Sequence, residues 1–408
     1  MRVLSLFDGI ACGHEALRQL GIDVERYVAY EIENSAIKIA KKNFPDIEER
    51  GDVFKADFTE FNDFDLLIGG SPCTNWSIAK AGHGRETTNS GIGWELFSQY
   101  VRAWKESGVP YYLYENNASM SKEIREAISD TFGHAPLEIN SDLVSAQTRK
   151  RLYWTNIPKA CVPIDRGIKL SDIIEHGVVD REKSLCLARR YAGFQGTQSY
   201  MCRRYIGKSM GQGVFEGDPK ALKALYKSND RFTDEEGAAT GCTIRPMTVT
   251  ECERLQTLPD GYTDGAGCSR SQRIEAIGNG WTVNVIVHLM QGMLERESSK
   301  VKFPDIEPEP GFVFSQRMAT IGCLTDEDFR NLPRTCSVCG KNLNFEHVIS
   351  AVADAKEDLH PICMDCEMYL KDLVKLRDMR SMAGVATDKE LVDWILNVSM
   401  KAKDRVCL

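Results

Sequence analysis

The stretch Val3-Leu4-Ser5-Leu6-Phe7-Asp8-Gly9-Ile10-Ala11-Cys12-Gly13 decides the fold class. Its first five residues form a short apolar run that reads as a buried strand. The glycine-bearing turn after it leads into a helix expected from Gly13 to Leu20, ended by Gly21. Tyr27-Val28-Ala29-Tyr30 reads as a second strand closed by Glu31, and Ser35 to Asn43 as a helix that stops before Pro45. Asp65-Leu66-Leu67-Ile68-Gly69-Gly70 and Tyr111-Tyr112-Leu113-Tyr114-Glu115 read as further buried strands. Strands that alternate with helices predict βαβ units and a mostly parallel sheet, an α/β class.

Length and composition leave ample material for a core: 408 residues, 42% hydrophobic, 27% charged. The net charge is -8, so nucleic acid would not be held by bulk charge and would need a local basic face. That face is expected within 158–245, where helical periodicity is weak and Gly and aromatic residues are frequent. From Arg181 to Met210 the cations at 181, 183, 189, 190, 203, 204 and 208 face one acid, Glu182, about +6 by this count. Tyr191, Phe194, Tyr200 and Tyr205 are interleaved with them. Further on, Phe303-Pro304-Asp305-Ile306-Glu307-Pro308-Glu309-Pro310-Gly311 reads as a linker.

Four features carry the chemistry. The turn Asp8-Gly9-Ile10-Ala11-Cys12-Gly13, at the carboxyl end of the first strand, lets backbone approach a nucleotide-like ligand, although it lacks the G-x-G-x-x-G spacing. Glu31 at the end of the second strand suits ribose hydroxyls, and Asp52 suits an adenine amine. Gly69-Gly70-Ser71-Pro72-Cys73 presents a cysteine where a strand empties at the sheet edge. Glu115 ends a later strand, and Arg149 and Arg151, at i and i+2 entering Leu152-Tyr153-Trp154, point to one side.

These blocks, with Ser145-Ala146-Gln147, Glu253 to Tyr262 and Gly278-Asn279-Gly280-Trp281-Thr282-Val283, resemble the DNA (cytosine-5) methyltransferases, in that family's order over residues 1 to about 295. The first two blocks are most similar to the de novo-type branch also found in phages and bacteria. The resemblance implies a Rossmann-like class I S-adenosylmethionine-dependent fold. Its expected layout is a cofactor-binding and catalytic core over 1–157, a target-recognition region over 158–245, and completion of the core over 246–296. It implies S-adenosylmethionine as cofactor, held by Phe7, Asp8, Gly9, Ile10, Glu31, Ile32, Asp52, Val53, Pro72, Asn279 and Trp281. Double-stranded DNA is the implied partner, with contacts from Ser77, Lys80 and Arg85 in the loop 74–92 and from Arg203 and Arg204.

The implied reaction begins with attack of the Cys73 thiolate on C6 of a flipped-out cytosine. Glu115, as a carboxylic acid, would protonate or hydrogen-bond N3. Arg149 and Arg151 would hold O2, the flanking phosphate and the loop, with Arg151 assigned to O2. Loss of the C5 proton after methylation would expel Cys73. Two positions depart from the pattern: Thr74 stands where many members have Gln, and Asn117 where Val is usual. Neither removes a reacting group.

Beyond a linker over 297–333, Cys336-Ser-Val-Cys339 and Cys363-Met-Asp-Cys366 resemble a treble-clef or zinc-ribbon finger over 334–380, with structural zinc on the four cysteines and a helical tail over 381–408. The finger would contact DNA or a protein partner. No membrane span or secretory signal is expected, and a cytoplasmic location in a bacterial or phage-infected cell is. Two alternatives stand beside the leading one. Methylation of cytosine in tRNA is disfavoured by the long basic segment, and a non-catalytic DNA-binding module by the intact Cys73, Glu115, Arg149 and Arg151.

Overall fold

The computed structural model describes residues 1–72, 76–77, 84–293, 350–353 and 359–362. The chain divides into two units, Met1–Met293 and Leu294–Leu408. In the first, strands β1 (Arg2–Leu6), β2 (Arg26–Tyr30), β3 (Glu48–Glu49), β4 (Leu66–Gly69), β5 (Tyr111–Asn117), β6 (Leu137–Asn140) and β7 (Lys150–Thr155) build one sheet. Its order is β3-β2-β1-β4-β5-β7-β6. The β3 to β5 neighbours pair in parallel, and β7 runs antiparallel to both β5 and β6. The mostly parallel sheet read from the sequence is therefore present.

Helices α1 (Cys12–Gln19), α2 (Asn34–Asn43), α3 (Ile92–Ser107) and α4 (Lys122–Phe132) connect the strands. One face of the sheet is unusually aromatic. Phe132 from α4 stacks on Tyr112 at 4.9 Å and packs against Tyr100, Tyr114 and Trp154. Large rings with few rotatable bonds bury much area for little entropy, which makes this layer a rigid base beneath β4 and β5. Both strands that deliver the expected chemistry rest on it.

Between β7 and the end of the unit lie α5 (Gln198–Cys202), α6 (Pro219–Ser228), α7 (Asp234–Ala238), and the antiparallel pair β8 (Gly213–Glu216) and β9 (Thr243–Pro246). The ten-residue α6 departs from the weak helicity expected there. Its start is encoded locally, because Asp218 accepts from Lys220 N and Pro219 occupies the first turn. Next come α8 (Val249–Leu255), α9 (Arg270–Asn279) and α10 (Val283–Met290), and α10 packs on α1. That return carries residues 280–282 back to the first strand's turn.

The second unit contributes one antiparallel hairpin, β10 (Ser350–Ala353) with β11 (Leu359–Ile362). The expected linker, the four cysteines Cys336, Cys339, Cys363 and Cys366, and the tail lie outside the described residues, as do Cys73 and Lys80. No described helix is long and apolar enough to cross a membrane.

Candidate active site

The turn after β1 is built on left-handed backbone at three residues: Phe7 at φ 57°, Gly9 at 63° and Ala11 at 59°. For Phe7 and Ala11 that conformation is costly and persists only where the surroundings enforce it. Those surroundings are visible. Phe7 N donates to Tyr30 O at 2.8 Å, Gly9 N to Glu31 Oε2 at 2.8 Å, and Tyr262 OH to Ile10 O at 2.8 Å. Glu31 Oε1 also accepts from Ile32 N and Glu33 N at 2.7 and 2.8 Å, so the carboxylate organises both loops at once.

Asp8 sits inside this turn. Its Oδ1 accepts from Ser5 Oγ at 2.5 Å and Tyr27 OH at 2.6 Å, whereas Oδ2 is buried without a partner. Burial pushes the carboxyl up to about 6, against the two hydroxyl donors. Nearby Glu49, a residue the sequence reading passed over, is pushed up to about 8 by burial and by the charges of Asp8 and Glu31. Both of its carboxylate oxygens are buried and unpartnered. Beside these acids the surface turns apolar: Ile32 is 74% exposed and Phe54 48%. Asp52 Oδ1 caps the short turn 53–55 by accepting from Phe54 N at 3.0 Å.

The second cluster begins where β4 ends. Ser71 Oγ lies 2.7 Å from Tyr114 OH, and Asn116 Nδ2 donates to Ser71 O at 3.1 Å. These buried bonds fix the approach to Pro72, directly before Cys73. Gly70 is required by proximity, since a Cβ there would sit 2.8 Å from Glu115 Oε2 and 3.4 Å from Trp281 Nε1. Glu115 itself is held from two sides. Arg151 Nε lies 2.9 Å from Oε1, and Trp281 Nε1 donates to Oε2 at 3.0 Å.

Arg149 behaves differently from Arg151. Its Nη1 donates to Leu187 O at 2.9 Å and Cys186 Sγ at 3.5 Å, and its Nη2 to Gly280 O at 2.9 Å and Gly278 O at 3.3 Å. The guanidinium is buried and committed to main chain, so it clamps the entry to the 187–246 region onto the segment that carries Trp281. A parallel buried link joins Gln147 Nε2 to Gln256 Oε1 at 2.8 Å, and Gln256 Nε2 to Gly280 O at 3.1 Å. Cys186, also unforeseen from the sequence, is exposed as a residue, although desolvation by the chain packed around its sulfur would raise the thiol. The charges and hydrogen bonds of Arg149 and Arg151 outweigh that and lower it instead.

Arg85 Nε donates to Trp76 O at 3.1 Å and its Nη2 to Ser119 O, which ties it to fully buried Trp76 and to the end of β5. Ser77 is half-buried and Asn279 exposed. Arg203 and Arg204 lie within a π-helical turn, 203–207, with their guanidiniums over Tyr200 at 5.9 and 5.7 Å. Arg204 Nη1 also donates to Tyr200 OH at 3.0 Å. Arg190 and Lys208 are exposed. Among the described residues no group of three or more His, Cys, Asp or Glu is arranged to hold a metal ion.

A family profile described as C-5 cytosine-specific DNA methylase matches residues 1–161 and 170–295. Orphan methyltransferase M.SPRI of Bacillus phage SPR is 31% identical over 192 residues, covering 43% of this chain and 43% of that protein. Type II methyltransferase M1.ScrFI of Lactococcus lactis subsp. cremoris is 26% identical over 318 residues, 72% of this chain and 78% of that one. The chain thus spans less than half the length of the phage relative. Among solved structures, a mutant of Spodoptera frugiperda DNMT2 superposes with a TM-score of 0.54 at 19% identity, over 72% of this chain and 99% of that one, a likeness of fold.

Proposed function

Because the chain belongs to the C-5 cytosine-specific DNA methylase family, we propose that it transfers a methyl group from S-adenosylmethionine to C5 of cytosine in double-stranded DNA. The observation that supports this most is Glu115, gripped by Arg151 and Trp281 beside Gly70, which precedes Cys73 by three residues along the β4 exit. A carboxyl group held that firmly next to a cysteine-bearing loop suits acid assistance at a ring nitrogen while sulfur adds to the ring.

The turn residues fit the cofactor. Asp8 Oδ2 is a buried acceptor without a partner, suited to an ammonium group, and Gly9 has open space where a Cβ would stand. Ile32 leaves an apolar face bare, suited to a flat ring, and Glu31 and Asp52 stand beside it for ribose and adenine. When bound, S-adenosylmethionine supplies the methyl group. Val53, Pro72 and Asn279 complete the proposed contacts. In the proposed mechanism the Cys73 thiolate adds to C6, Glu115 as a carboxylic acid gives its proton or a hydrogen bond to N3 as negative charge grows there, and Arg151 holds O2. Arg149 works from behind, keeping Trp281 and the recognition region in place through four acceptors. Loss of the C5 proton then returns the thiolate. The base must leave the duplex first, and the loop with Ser77, Lys80 and Arg85 is assigned to closing behind it.

Recognition is assigned to 158–245, with Arg203 and Arg204 as DNA contacts. The cysteines Cys336, Cys339, Cys363 and Cys366 are assigned to structural zinc. Four thiolates make a full tetrahedral donor set, and β11 ends at Ile362, one residue before the second pair. This module would position DNA or a protein partner. The deciding experiment is expression in a host lacking cytosine methylation, followed by bisulfite sequencing of its DNA and RNA. Methylated cytosines at one DNA motif are expected; methylation confined to tRNA, or none, would refute the assignment. Metal analysis of the full-length protein should find one zinc per chain.

A further inference from the structure

Trp281 occupies a junction that its motif alone does not explain. Its indole Nε1 donates to Glu115 Oε2 at 3.0 Å, between residues 166 apart in sequence. Its main-chain N–H is directed at the Cys12 sulfur. The far edge of the ring, Cζ3, lies 3.5 Å from the position a Cβ would take on Gly13, and a Cβ on Gly280 would meet Cys12 Sγ at 3.0 Å. The backbone of 280–281 is therefore seated on the turn assigned to the cofactor, while the side chain reaches across to the carboxylate assigned to the base. Arg149 fixes the same segment from the other side through Gly278 O and Gly280 O.

We propose that Trp281 is a positioning residue for Glu115, holding the catalytic carboxylate in register with the cofactor turn through its indole N–H. This rests on the catalytic role assigned to Glu115 above. The physical reason is the geometry of a carboxylate with two oxygens. Arg151 Nε meets Oε1, and the orientation of the carboxyl plane about its terminal torsion depends on what holds the other oxygen. The indole donor holds Oε2, and its own position is set by Cys12 and Gly13. A change at the cofactor turn is thus transmitted to Glu115 by one rigid ring.

The test uses the full chain in four forms: wild type, Trp281→Phe, Glu115→Gln and the double variant. Turnover is measured on genomic DNA from an unmethylated host, and affinity for S-adenosylhomocysteine by calorimetry. Trp281→Phe keeps an aromatic ring but deletes the donor. It should lower kcat by about tenfold or more, the worth of one hydrogen bond to a charged group, while cofactor-product affinity falls much less than kcat, because the aromatic ring assigned to the cofactor contact is kept. In the Glu115→Gln background the same substitution should cost less than about threefold, because the carboxylate it positions is gone. Equal losses in both backgrounds, or a loss explained by affinity alone, would overturn the proposal. Full activity in Glu115→Gln would instead overturn the assignment of Glu115. Should Trp281→Phe fail to fold, 15N-tryptophan spectra of wild type and Glu115→Gln decide the matter. One indole N–H resonance should move in the variant and on adding S-adenosylhomocysteine to the wild type; no movement in either refutes it.

Discussion

Arg151 Nε stands 2.9 Å from Glu115 Oε1 because β5 and β7 run antiparallel in the register that places Arg151 opposite Asn117. Both side chains are largely removed from water, at 16% and 12% exposure. A pair of this kind contributes little net stability relative to apolar replacements, but removing one partner strands the other charge. Its expected use is therefore functional. Glu115→Gln, which keeps the side chain's shape but leaves Arg151 uncompensated, should melt below the wild type and lose about 100- to 10,000-fold in kcat, the usual scale for an acid–base group. Arg151→Met should lose both turnover and thermal stability, measurable by methyl incorporation and by melting. An Arg151→Met protein with wild-type turnover would contradict the assignment to O2.

Much of this arrangement was legible in the sequence, and the limit is physical. Short apolar runs closed by Glu31, Gly70 and Glu115 announced the strands because buried parallel strands need continuous apolar side chains. The alternation of Arg149 and Arg151 points both to one side, and in the structure both act on the Cys186 thiol, which no sequence motif singles out. What alternation could not show is that Arg149 spends its donors on the carbonyls of Leu187, Gly278 and Gly280, since those acceptors arrive from distant segments. Trp281 and Glu115 are likewise joined only by the return of α10 onto α1. Trp76 falls within the loop 74–92 yet is fully buried, and Glu49, which no motif marks, has no hydrogen-bond partner for either buried oxygen.

Glu49 sets a pH dependence whose sign follows from burial. Its folded pKa, raised to about 8 from a reference of 4.5, means that folding favours the neutral acid. The stability associated with that protonated form is fully present below pH 4.5 and is lost as pH rises through about 8. Asp8, raised to about 6, acts in the same direction. Glu49→Gln should therefore melt near the wild type at pH 4.5 and clearly above it at pH 8.5. An equal difference at both pH values would show that Glu49 is not shifted.

Cys186 should be the most reactive thiol among the described residues. Arg149 and Arg151 lower its pKa against local desolvation of the sulfur, whereas burial pushes Cys12 and Cys202 up to about 12. Timed labelling with iodoacetamide at neutral pH, followed by mass spectrometry, should modify Cys186 at least about tenfold faster than Cys12 or Cys202. Slower labelling of Cys186 than of either buried cysteine would contradict the site's electrostatics.

Recognition is expected to depend on the turn 203–207. Arg203 and Arg204 both lie over Tyr200, and Arg204 is also bonded to its hydroxyl. Alanine at either position should change the preferred sequence or the salt slope of binding. A base-reading arginine contributes about 1–3 kcal/mol of discrimination, whereas a phosphate contact weakens all sequences alike. Unchanged affinity, salt slope and methylation pattern in both variants would place the recognition surface elsewhere.

The central claim is that Cys73, following the anchored Gly70-Ser71-Pro72 run, forms a covalent bond to the target base while Glu115 and Arg151 hold it. Its most direct test is trapping on duplex DNA with 5-fluorocytosine at the methylated position, in the presence of S-adenosylmethionine. Fluorine cannot leave as a proton does, so the adduct should persist through denaturing electrophoresis, with the DNA fragment attached to the peptide containing Cys73. Cys73→Ala should form none and transfer no methyl group. Methyl transfer that survives in Cys73→Ala, or attachment at any other residue, would contradict the account.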